Sequence, residues 1–406
     1  MNTTTITSSQ QLEKAIQSLS KSDFLGFDTE FIRETTFVPE LCLFQITDGN
    51  HIFLIDVLAV PDLSPLEELL LDPRPLKVLH SGDQDLEILY RRTGQFPENL
   101  FDTQIGAALV GLGDHIALAG LVRKLLGQKI PKGQTRSDWK RRPLTPQQLE
   151  YAAADVAPLA PLYQALHKRL KKHDRLEWAF EETARLADPQ RFDPSPEHRL
   201  RTFRKAWKLS GKELSVLRDL IEWREAQARI QNLPRNRIST DSTLLALAQR
   251  APRTMKDFQG YRDIPNNLVK RSGSEILDVI QQAMQRPRSE WPASPVPPQT
   301  DPSLAGIVDL LSAYLRLRAA DLMIAPALLA SRKTLEEVAR SCPRSLADVE
   351  KIPALRGWRA QALGEDLVHV FHGKLSITVD PDSKPDNPRL TLIQPPSNKP
   401  GSSSGT

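Results

Sequence analysis

Hydrophobic and polar residues follow two different patterns along this 406-residue chain. Up to about residue 200, short apolar runs typical of β-strands alternate with amphipathic stretches typical of helices. Beyond that point the strand pattern disappears and only the helical period remains. Opening hairpins followed by strand–helix units predict an α/β domain with a mixed sheet, which is then followed by an all-α region.

The predicted strands of the first half are separated by turn-forming residues and by helices. The strands are FLGFDTEF (24–31), LCLFQITD (41–48), HIFLIDV (51–57), PLKVLH (75–80) and the start of NLFDTQIGAALVG (99–111). Helices are predicted at 63–72, 82–94, the second part of 99–111, 116–127 and 145–173. Pro158 lies inside the last helix, where it removes one backbone hydrogen bond, so we expect a kink just past Asp155.

The all-α region contains an internal repeat. Shifting the chain by 91 residues aligns Trp223 with Tyr314, Ala228 with Ala319 and Gly273 with Gly364, without a gap. A period this long predicts a duplicated small domain, not a solenoid.

These patterns divide the chain into five segments. They predict an α/β domain over 1–195, a helical domain over 208–288, a proline-rich linker over 289–302, a second helical domain over 303–374 and a disordered tail over 375–406.

Two carboxylates interrupt the first predicted strand. Asp28 and Glu30 are two residues apart, so their side chains share one face, while Phe27, Thr29 and Phe31 take the other. An edge strand with a solvated acidic face would explain them. The alternative is a metal site, because two like charges in a poorly solvated place raise each other's pKa unless a cation neutralises them.

Two further segments carry acidic residues at structured positions. Asp83 is expected to cap the helix of GDQDLEILYRRTG, which leaves Asp85 in its first turn without a capping role. In EYAAADVAPL, Tyr151 and Asp155 are four residues apart and share one helix face. Each segment alone is also compatible with an ordinary solvated helix.

Charge is distributed unevenly over the chain, whose formal net charge is +4. Residues 1–200 carry 23 Lys/Arg against 28 Asp/Glu, whereas residues 201–290 carry 18 against 10, a surplus of +8. Residues 301–374 are close to neutral, with 10 against 9. The basic middle segment suits a polyanionic partner, although a solvated basic face would also explain it.

Several classes of protein are excluded by what the sequence lacks. It contains no apolar run long enough to span a membrane, no signal-peptide pattern and no GxxxxGK[ST] motif for nucleoside triphosphates. Its two cysteines and eight histidines show no zinc spacing. We expect a cytoplasmic protein, monomeric, without membrane or nucleotide partners.

The order of these motifs resembles a known family. Asp-x-Glu on a first strand, Asp at a mid-domain strand-to-helix turn and Tyr-x-x-x-Asp on a late helix resemble the DEDD family of 3′–5′ exonucleases, tyrosine subtype. FDTEFIRETTFVPELCLFQI, FDTQIGAALVG and RSDWKRRPLTPQQLEYAAADV are similar to ribonuclease D, and the repeat is similar to two HRDC domains. The resemblance extends from about residue 6 to residue 374 and implies a ribonuclease H-like exonuclease fold with two all-α HRDC domains.

The resemblance also implies a two-metal site that uses Mg²⁺ or Mn²⁺. Asp28, Glu30 and Asp155 would hold the ion that activates water, Asp28 would bridge to a second ion supported by Asp85, and Tyr151 would orient the water. Only the resemblance selects Asp85, because Asp83 and Glu87 flank it.

The implied activity is a 3′–5′ exoribonuclease that trims structured RNA, chiefly tRNA precursors, and releases nucleoside 5′-monophosphates. A DNA exonuclease and a non-catalytic RNA-binding scaffold are the alternatives; the intact acidic residues speak against the scaffold. The segment KGQTRSDWKRR suggests a grip on backbone phosphates, although a surface loop with incidental charges would look the same. Its basic residues are Lys132, Arg136, Lys140, Arg141 and Arg142.

Overall fold

A six-stranded mixed sheet forms the centre of the first 200 residues. In the computed structural model, the described residues are 1–131, 133, 137–260, 262–294, 302–383 and 390–393. The strands of this sheet are β1 (Asn2–Ile6), β2 (Phe24–Ile32), β3 (Glu40–Thr47), β4 (His51–Asp56), β5 (Leu76–Leu79) and β6 (Leu100–Asp102).

Among the described residues, ten helices follow or separate these strands. They are α1 (Ser9–Leu19), α2 (Ser64–Leu71), α3 (Asp83–Thr93), α4 (Thr103–Leu109), α5 (Leu118–Leu126), α6 (Pro146–Val156), α7 (Leu159–Lys172), α8 (Leu176–Ala184), α9 (Pro189–Phe192) and α10 (Pro196–Thr202).

The predicted mixed sheet is confirmed, with strand order β1-β4-β3-β2-β5-β6. β2, β3 and β4 are antiparallel neighbours, whereas β5 and β6 continue from β2 in parallel. The sequence analysis missed β1, which pairs in parallel with β4 at the sheet edge. Four of the five β1 residues are exposed polar side chains, so an apolar pattern was absent there.

The helix predicted over 145–173 is broken, not kinked. α6 ends at Val156 and α7 begins at Leu159, with Pro158 at the N-cap of the second helix. A proline is tolerated at a helix start because the N–H it lacks would have no partner there. The break lies just past Asp155, as the kink was expected to.

The all-α region consists of two similar sets of helices. The first set is α11 (Gly211–Gln231), α12 (Arg235–Ile238), α13 (Asp241–Arg250) and α14 (Asn266–Gln285), with 3₁₀ turns at Ala206–Lys208, Met255–Gly260 and Arg288–Glu290. The second set is α15 (Pro302–Leu322), α16 (Pro326–Leu329), α17 (Arg332–Ser341), α18 (Leu346–Glu350) and α19 (Trp358–Phe371), with a 3₁₀ turn at Pro353–Leu355.

Two side-chain hydrogen bonds in the all-α region repeat the 91-residue spacing seen in the sequence. The indole Nε1–H of Trp223 donates to Glu275, and 91 residues later the hydroxyl of Tyr314 donates to Asp366. The two sets therefore share their aromatic–acid pairs as well as their helix starts.

The tail is ordered in part, contrary to the disorder expected over 375–406. β7 (Ser376–Val379) and β8 (Leu390–Ile393) form an antiparallel pair that packs near α15. Ile377 and Leu392 rest against the neighbouring apolar cluster, and this burial stabilises the pair. The remaining tail residues, 384–389 and 394–406, lie outside the described part.

Both helical sets pack against the α/β domain. Trp178 of α8 stacks on Trp358 of α19 with ring centroids 4.9 Å apart, and Glu182 pairs with Arg359 at 2.6 Å. One buried apolar cluster continues from the α6–α7 side of the sheet into the second set. None of the described helices combines the length and hydropathy that crossing a bilayer requires.

Candidate active site

Three carboxylates meet where β2 passes beneath α6. One ligand oxygen each from Asp28, Glu30 and Asp155 lie within 4.8 Å of one another. The first two come from β2, where alternation places them on one face, and the third comes from α6, which packs across β2, β3 and β4. Like charges this close are unfavourable unless protons or a cation compensate them.

The start of α6 is well defined, and this determines which side chains reach the site. Thr145 and Gln148 form a capping box, with Pro146 in the first turn. One helical turn further on, the hydroxyl of Tyr151 donates a hydrogen bond to Asp155. The Tyr151 ring lies 6.3 Å from the buried ring of Trp139. The Tyr151 side chain is therefore held by its ring contact with Trp139 and by its hydrogen bond to Asp155.

Asp85 enters the same cleft from the first turn of α3. The turn before this helix places Ser81 in the left-handed region with φ 60°. Asp102 accepts the backbone N–H groups of Ser81 and Gly82 at 3.1 and 3.0 Å, which holds the turn. Gly82 is the N-cap, so the expectation that Asp83 caps α3 is wrong. A Cβ at Gly82 would lie 2.3 Å from the Leu79 side chain.

The acidic residues beside Asp85 are occupied elsewhere. Asp83 pairs with Arg191 at 2.7 Å, and Glu87 pairs with Arg33 at 2.7 Å and with Arg91 at 2.9 Å. Asp85 itself is buried and accepts a hydrogen bond from the hydroxyl of Thr29. Of the three acidic residues on this helix, Asp85 lines the cleft that also contains Asp28 and Glu30.

Loss of solvation raises the pKa of all four carboxyl groups. It raises the pKa of Glu30 to about 9 and that of Asp155 to about 7, with the neighbouring carboxylates adding to the effect. Loss of solvation also raises the pKa of Asp85, to about 6, and the hydrogen bond from Thr29 limits this rise. The pKa of Asp28 lies well above its ordinary value for the same reasons.

This donor set fits a hard divalent cation. Mg²⁺ and similar ions bind through carboxylate oxygens, and a nearby cation would stabilise the ionised carboxylates against the loss of solvation and the repulsion that raise these pKa values. The described residues that cluster here are all oxygen donors, without the thiolates or imidazoles that zinc prefers.

The cleft around the cluster has a volume of ≈ 660 Å³. Its walls come from the loop after β2, from the start of α3 and from the segment before α6. Besides Asp28, Glu30, Asp85 and Tyr151, they include Arg33, Glu34, Thr35, His80, Ser81, Gln84, Ser137 and Asp138.

Two basic residues suggested as a phosphate grip have structural partners instead. Arg142 bonds Asp56 at 2.6 and 2.7 Å and also the Cys42 carbonyl at 2.9 Å, and Lys140 pairs with Glu40 at 2.5 Å. Lys132 and Arg136 lie outside the described residues. Arg141 is exposed, so it is the described residue of that group still open to a phosphate.

Sequence reasoning missed three residues that shape the site: Thr29, Asp102 and Trp139. Strand alternation places Thr29 on the face opposite Asp28 and Glu30, and from that face its hydroxyl donates a hydrogen bond to Asp85. Trp139, the aromatic residue of the KGQTRSDWKRR segment, is 1% exposed and packs on Tyr151. Asp102 at the end of a short strand had a detectable signal, since Asp before a helix is a frequent N-cap.

Comparison with known proteins adds to this geometry. A model of the 3′–5′ exonuclease family matches residues 3–171, and a model of the HRDC domain matches residues 213–280. The ribonuclease D of Pseudomonas paraeruginosa is 39% identical over 355 residues, which cover 86% of this chain and 92% of that protein. The ribonuclease D of Granulibacter bethesdensis is 36% identical over 381 residues, covering 93% and 94%.

A solved structure agrees over nearly the whole length. The crystal structure of Escherichia coli RNase D, an exoribonuclease involved in structured RNA processing, superimposes with a TM-score of 0.82 at 29% identity. It covers 92% of this chain and 99% of that one.

Proposed function

This chain belongs to the ribonuclease D family of 3′–5′ exoribonucleases, and we propose that it trims the 3′ ends of structured RNAs, chiefly tRNA precursors. The products would be nucleoside 5′-monophosphates. The observation that carries the proposal is the convergence of one ligand oxygen each from Asp28, Glu30 and Asp155 within 4.8 Å, beside a cleft that Asp28 and Glu30 line. The processing of structured RNA by the related E. coli enzyme supports the substrate class.

An exonuclease of this family uses divalent metal, and we propose two ions, Mg²⁺ or Mn²⁺. Asp28, Glu30 and Asp155 would hold one, while Asp28 and Asp85 would support the other. When bound, such a pair of ions stabilises both the attacking and the leaving oxygen of an in-line phosphodiester displacement.

The protein's own groups would position the reactants. The hydroxyl of Tyr151 faces Asp155, and from this position it would orient the attacking water toward the last phosphate. The Thr29 hydroxyl keeps Asp85 directed into the cleft.

The helical region would hold the body of the RNA. The HRDC match over 213–280 falls within the segment that carries the +8 surplus. We propose that the second set of helices, over 303–374, is a second HRDC domain and that the exonuclease domain extends over 1–195. A monomer in the cytoplasm remains our prediction for the assembly and location.

The substrate proposal is tested with purified protein, Mg²⁺ and three oligonucleotides. A 3′-extended tRNA precursor should be shortened stepwise with release of nucleoside 5′-monophosphates, identified by mass spectrometry. A matched DNA strand and an RNA blocked by a 3′-phosphate should be degraded much more slowly. Equal rates on RNA and DNA would favour the alternative, a DNA exonuclease.

The metal cluster is tested by Asp28→Ala, Asp155→Ala and the double variant. Because these residues act as one unit, each single variant should lose activity almost as fully as the double one, to below about a hundredth of wild type. Folding should persist, because removing a clustered charge relieves repulsion. Glu34→Ala, on the wall of the same cleft, is the control and should keep substantial activity.

A further inference from the structure

Gln45 in β3 has a buried side-chain amide without a hydrogen-bond partner. The residue is 0% exposed, and neither its Nε2 nor its Oε1 makes a hydrogen bond to any residue in the described part of the chain. An unpaired buried amide destabilises a folded protein, and an apolar side chain of similar size would avoid that penalty. A glutamine at this position therefore calls for an explanation.

The register of the sheet places this amide beside the carboxylate cluster. Gln45 pairs directly with Asp28 across the antiparallel β2–β3 ladder. Directly paired residues point to the same face with Cβ atoms about 4.5–5.5 Å apart. The helix that carries Asp155 covers this face, so Gln45 and the cluster share one enclosed space.

The Asp28 carboxylate receives a hydrogen bond from the backbone N–H of Thr29. A carboxylate offers about four acceptor positions, so Asp28 can accept a further donor. A carboxylate that serves two cations must present both oxygens in fixed directions, and donors behind metal ligands commonly fix such directions.

We propose that Gln45 is a positioning residue for Asp28. Its Nε2–H group donates to the Asp28 carboxylate when cations occupy the site, and this orients both carboxylate oxygens toward the ions. The proposal rests on the proposed two-ion function of Asp28. The amide is paired only in the metal-loaded state, so the metal-free protein carries the penalty of an unsatisfied donor.

Gln45→Met tests the proposal, because methionine has nearly the same length and no donor. The variant is expected to keep or gain stability without metal but to lose affinity for Mg²⁺. The melting temperature of the metal-free protein should rise or stay unchanged, since an unpaired amide is removed. The affinity for Mg²⁺, measured by isothermal titration calorimetry, should fall about 10–100-fold, as for other residues behind metal ligands. In kinetics, kcat should fall while KM for RNA stays unchanged.

Leu54→Met is the matched control. Leu54 pairs with Gln45 on its other side and is equally buried beneath α6, so the change alters packing in the same place without removing a donor. It should leave the Mg²⁺ affinity unchanged. Wild-type Mg²⁺ affinity in Gln45→Met, or an equal loss in Leu54→Met, would overturn the positioning role.

A crystal structure of the wild-type protein with Mn²⁺ gives a readout that does not depend on a variant's folding. The Nε2 atom of Gln45 should lie about 2.9 Å from an Asp28 oxygen. A separation too long for a hydrogen bond would refute the proposal. If the wild-type protein bound no cation and cleaved no RNA, the proposed function itself would fail; the Gln45 inference alone fails when the wild type is active and Gln45→Met matches it.

Discussion

Burial raises the pKa of Asp155 to about 7; the hydrogen bond from the Tyr151 hydroxyl opposes this rise, and the Asp85 carboxylate adds to it. A single hydrogen bond along one helical turn thus helps decide how readily this carboxylate ionises near neutral pH. The same hydroxyl is the group that we propose to orient water. Removing it should affect both the rate and the pH at which the rate rises.

Tyr151→Phe should lower kcat by about 10²–10⁴-fold and leave KM nearly unchanged, as expected for a positioned orienting group. The acidic limb of the pH–rate profile should move to higher pH, because Asp155 loses a hydrogen bond to its ionised form. Steady-state kinetics between pH 5 and 9 measure both effects. Tyr163→Phe, a half-buried tyrosine on α7, is the control. An unchanged kcat would reduce Tyr151 to a packing residue.

The raised pKa values also predict how the metal-free protein responds to pH. The pKa of Glu30 is about 9 in the folded protein, above its ordinary value of 4.5, so the folded state binds more protons between these limits. Stability from this group is therefore fully present at low pH and lost as pH rises through 9. We expect the melting temperature in EDTA to fall from pH 6 to 9.

Differential scanning fluorimetry with EDTA or Mg²⁺ checks this dependence. The gain in melting temperature on adding Mg²⁺ should grow with pH, since the cation replaces protons that the cluster otherwise holds. Glu30→Gln should flatten the EDTA curve. An unaltered slope in Glu30→Gln would mean that other groups dominate the titration.

Two short periodicities predicted much of the cluster's geometry. Spacing of two on a strand placed Asp28 beside Glu30, and spacing of four on a helix placed Tyr151 beside Asp155. The position of Gln45 could not be predicted, because it depends on which residue of β3 lies opposite Asp28. A shift of one residue would have turned Gln45 to the other face.

At the scale of elements, the turn between β5 and α3 depends on a residue from the next strand. Asp102 accepts N–H groups from the left-handed turn and also caps α4 through Gln104 at 2.7 Å. One buried carboxylate thus joins two helix starts. Because α3 carries Asp85, this carboxylate also determines where Asp85 enters the cleft.

Asp102→Ala should lower the free energy of unfolding by about 3 kcal/mol, since one buried and several half-buried N–H groups lose their acceptor. Activity should fall as well, because the turn that positions Asp85 loosens. Asp83→Ala is the control, because its exposed pair with Arg191 contributes at most about 1 kcal/mol. Chemical denaturation and RNA cleavage measure the two effects. A small stability loss in Asp102→Ala, equal to that of the control, would contradict this role.

The elements predicted between residues 24 and 173 end within a residue or two of the observed ones, apart from the break at Pro158, whereas α1, α8, β1 and the β7–β8 pair were not predicted. β1 contains four exposed polar residues and is a strand because β4 offers an edge. β7 and β8 fold where a helix of the second set covers them. In both cases a partner distant in sequence decides the conformation, and a local pattern carries no information about it.

At the scale of the whole molecule, the first set of helices contacts the loop that lines the cleft. Asn232, at the end of α11, accepts the backbone N–H of Phe37 at 3.1 Å. The guanidinium group of Arg235 lies 4.8 Å from the Phe37 ring centroid. The region proposed to hold RNA is thus attached to the loop that follows Asp28 and Glu30, which no pattern in either segment indicated.

The cations of this region differ in how they are used. Arg199, Arg224 and Arg235 form ion pairs with carboxylates at the domain boundary. Residues 201–212 instead carry five Lys/Arg and no Asp/Glu. All five are exposed, and the described ion pairs include none of them. They are Arg201, Arg204, Lys205, Lys208 and Lys212.

Trp207 lies among these cations and is 39% exposed, with the Lys208 ammonium 5.1 Å from its ring centroid. Exposed aromatic rings beside cations are typical of surfaces that stack unpaired bases and contact phosphates. Unlike the ion-paired arginines, these cations can exchange solvent counterions for RNA phosphates. We therefore expect residues 201–212 to contribute a large share of the RNA-binding affinity.

The last prediction concerns this surface in the full-length protein. Reversing Arg204, Lys205, Lys208 and Lys212 to Glu should weaken binding of a tRNA precursor and flatten the dependence of log K on log salt. Each lost phosphate contact accounts for about 0.7–0.9 of that slope, so a loss of two to three is expected if most of the four make contact. Trp207→Ala should weaken binding by about 1–3 kcal/mol without changing the slope.

The matched control reverses four exposed cations of α7: Lys168, Arg169, Lys171 and Lys172. Fluorescence anisotropy at several salt concentrations, with Ca²⁺ in place of Mg²⁺, compares the wild type with these three variants. Equal flattening in the control would show that the slope reports overall charge, in which case the surplus of 201–290 is a solvated face and not a binding surface.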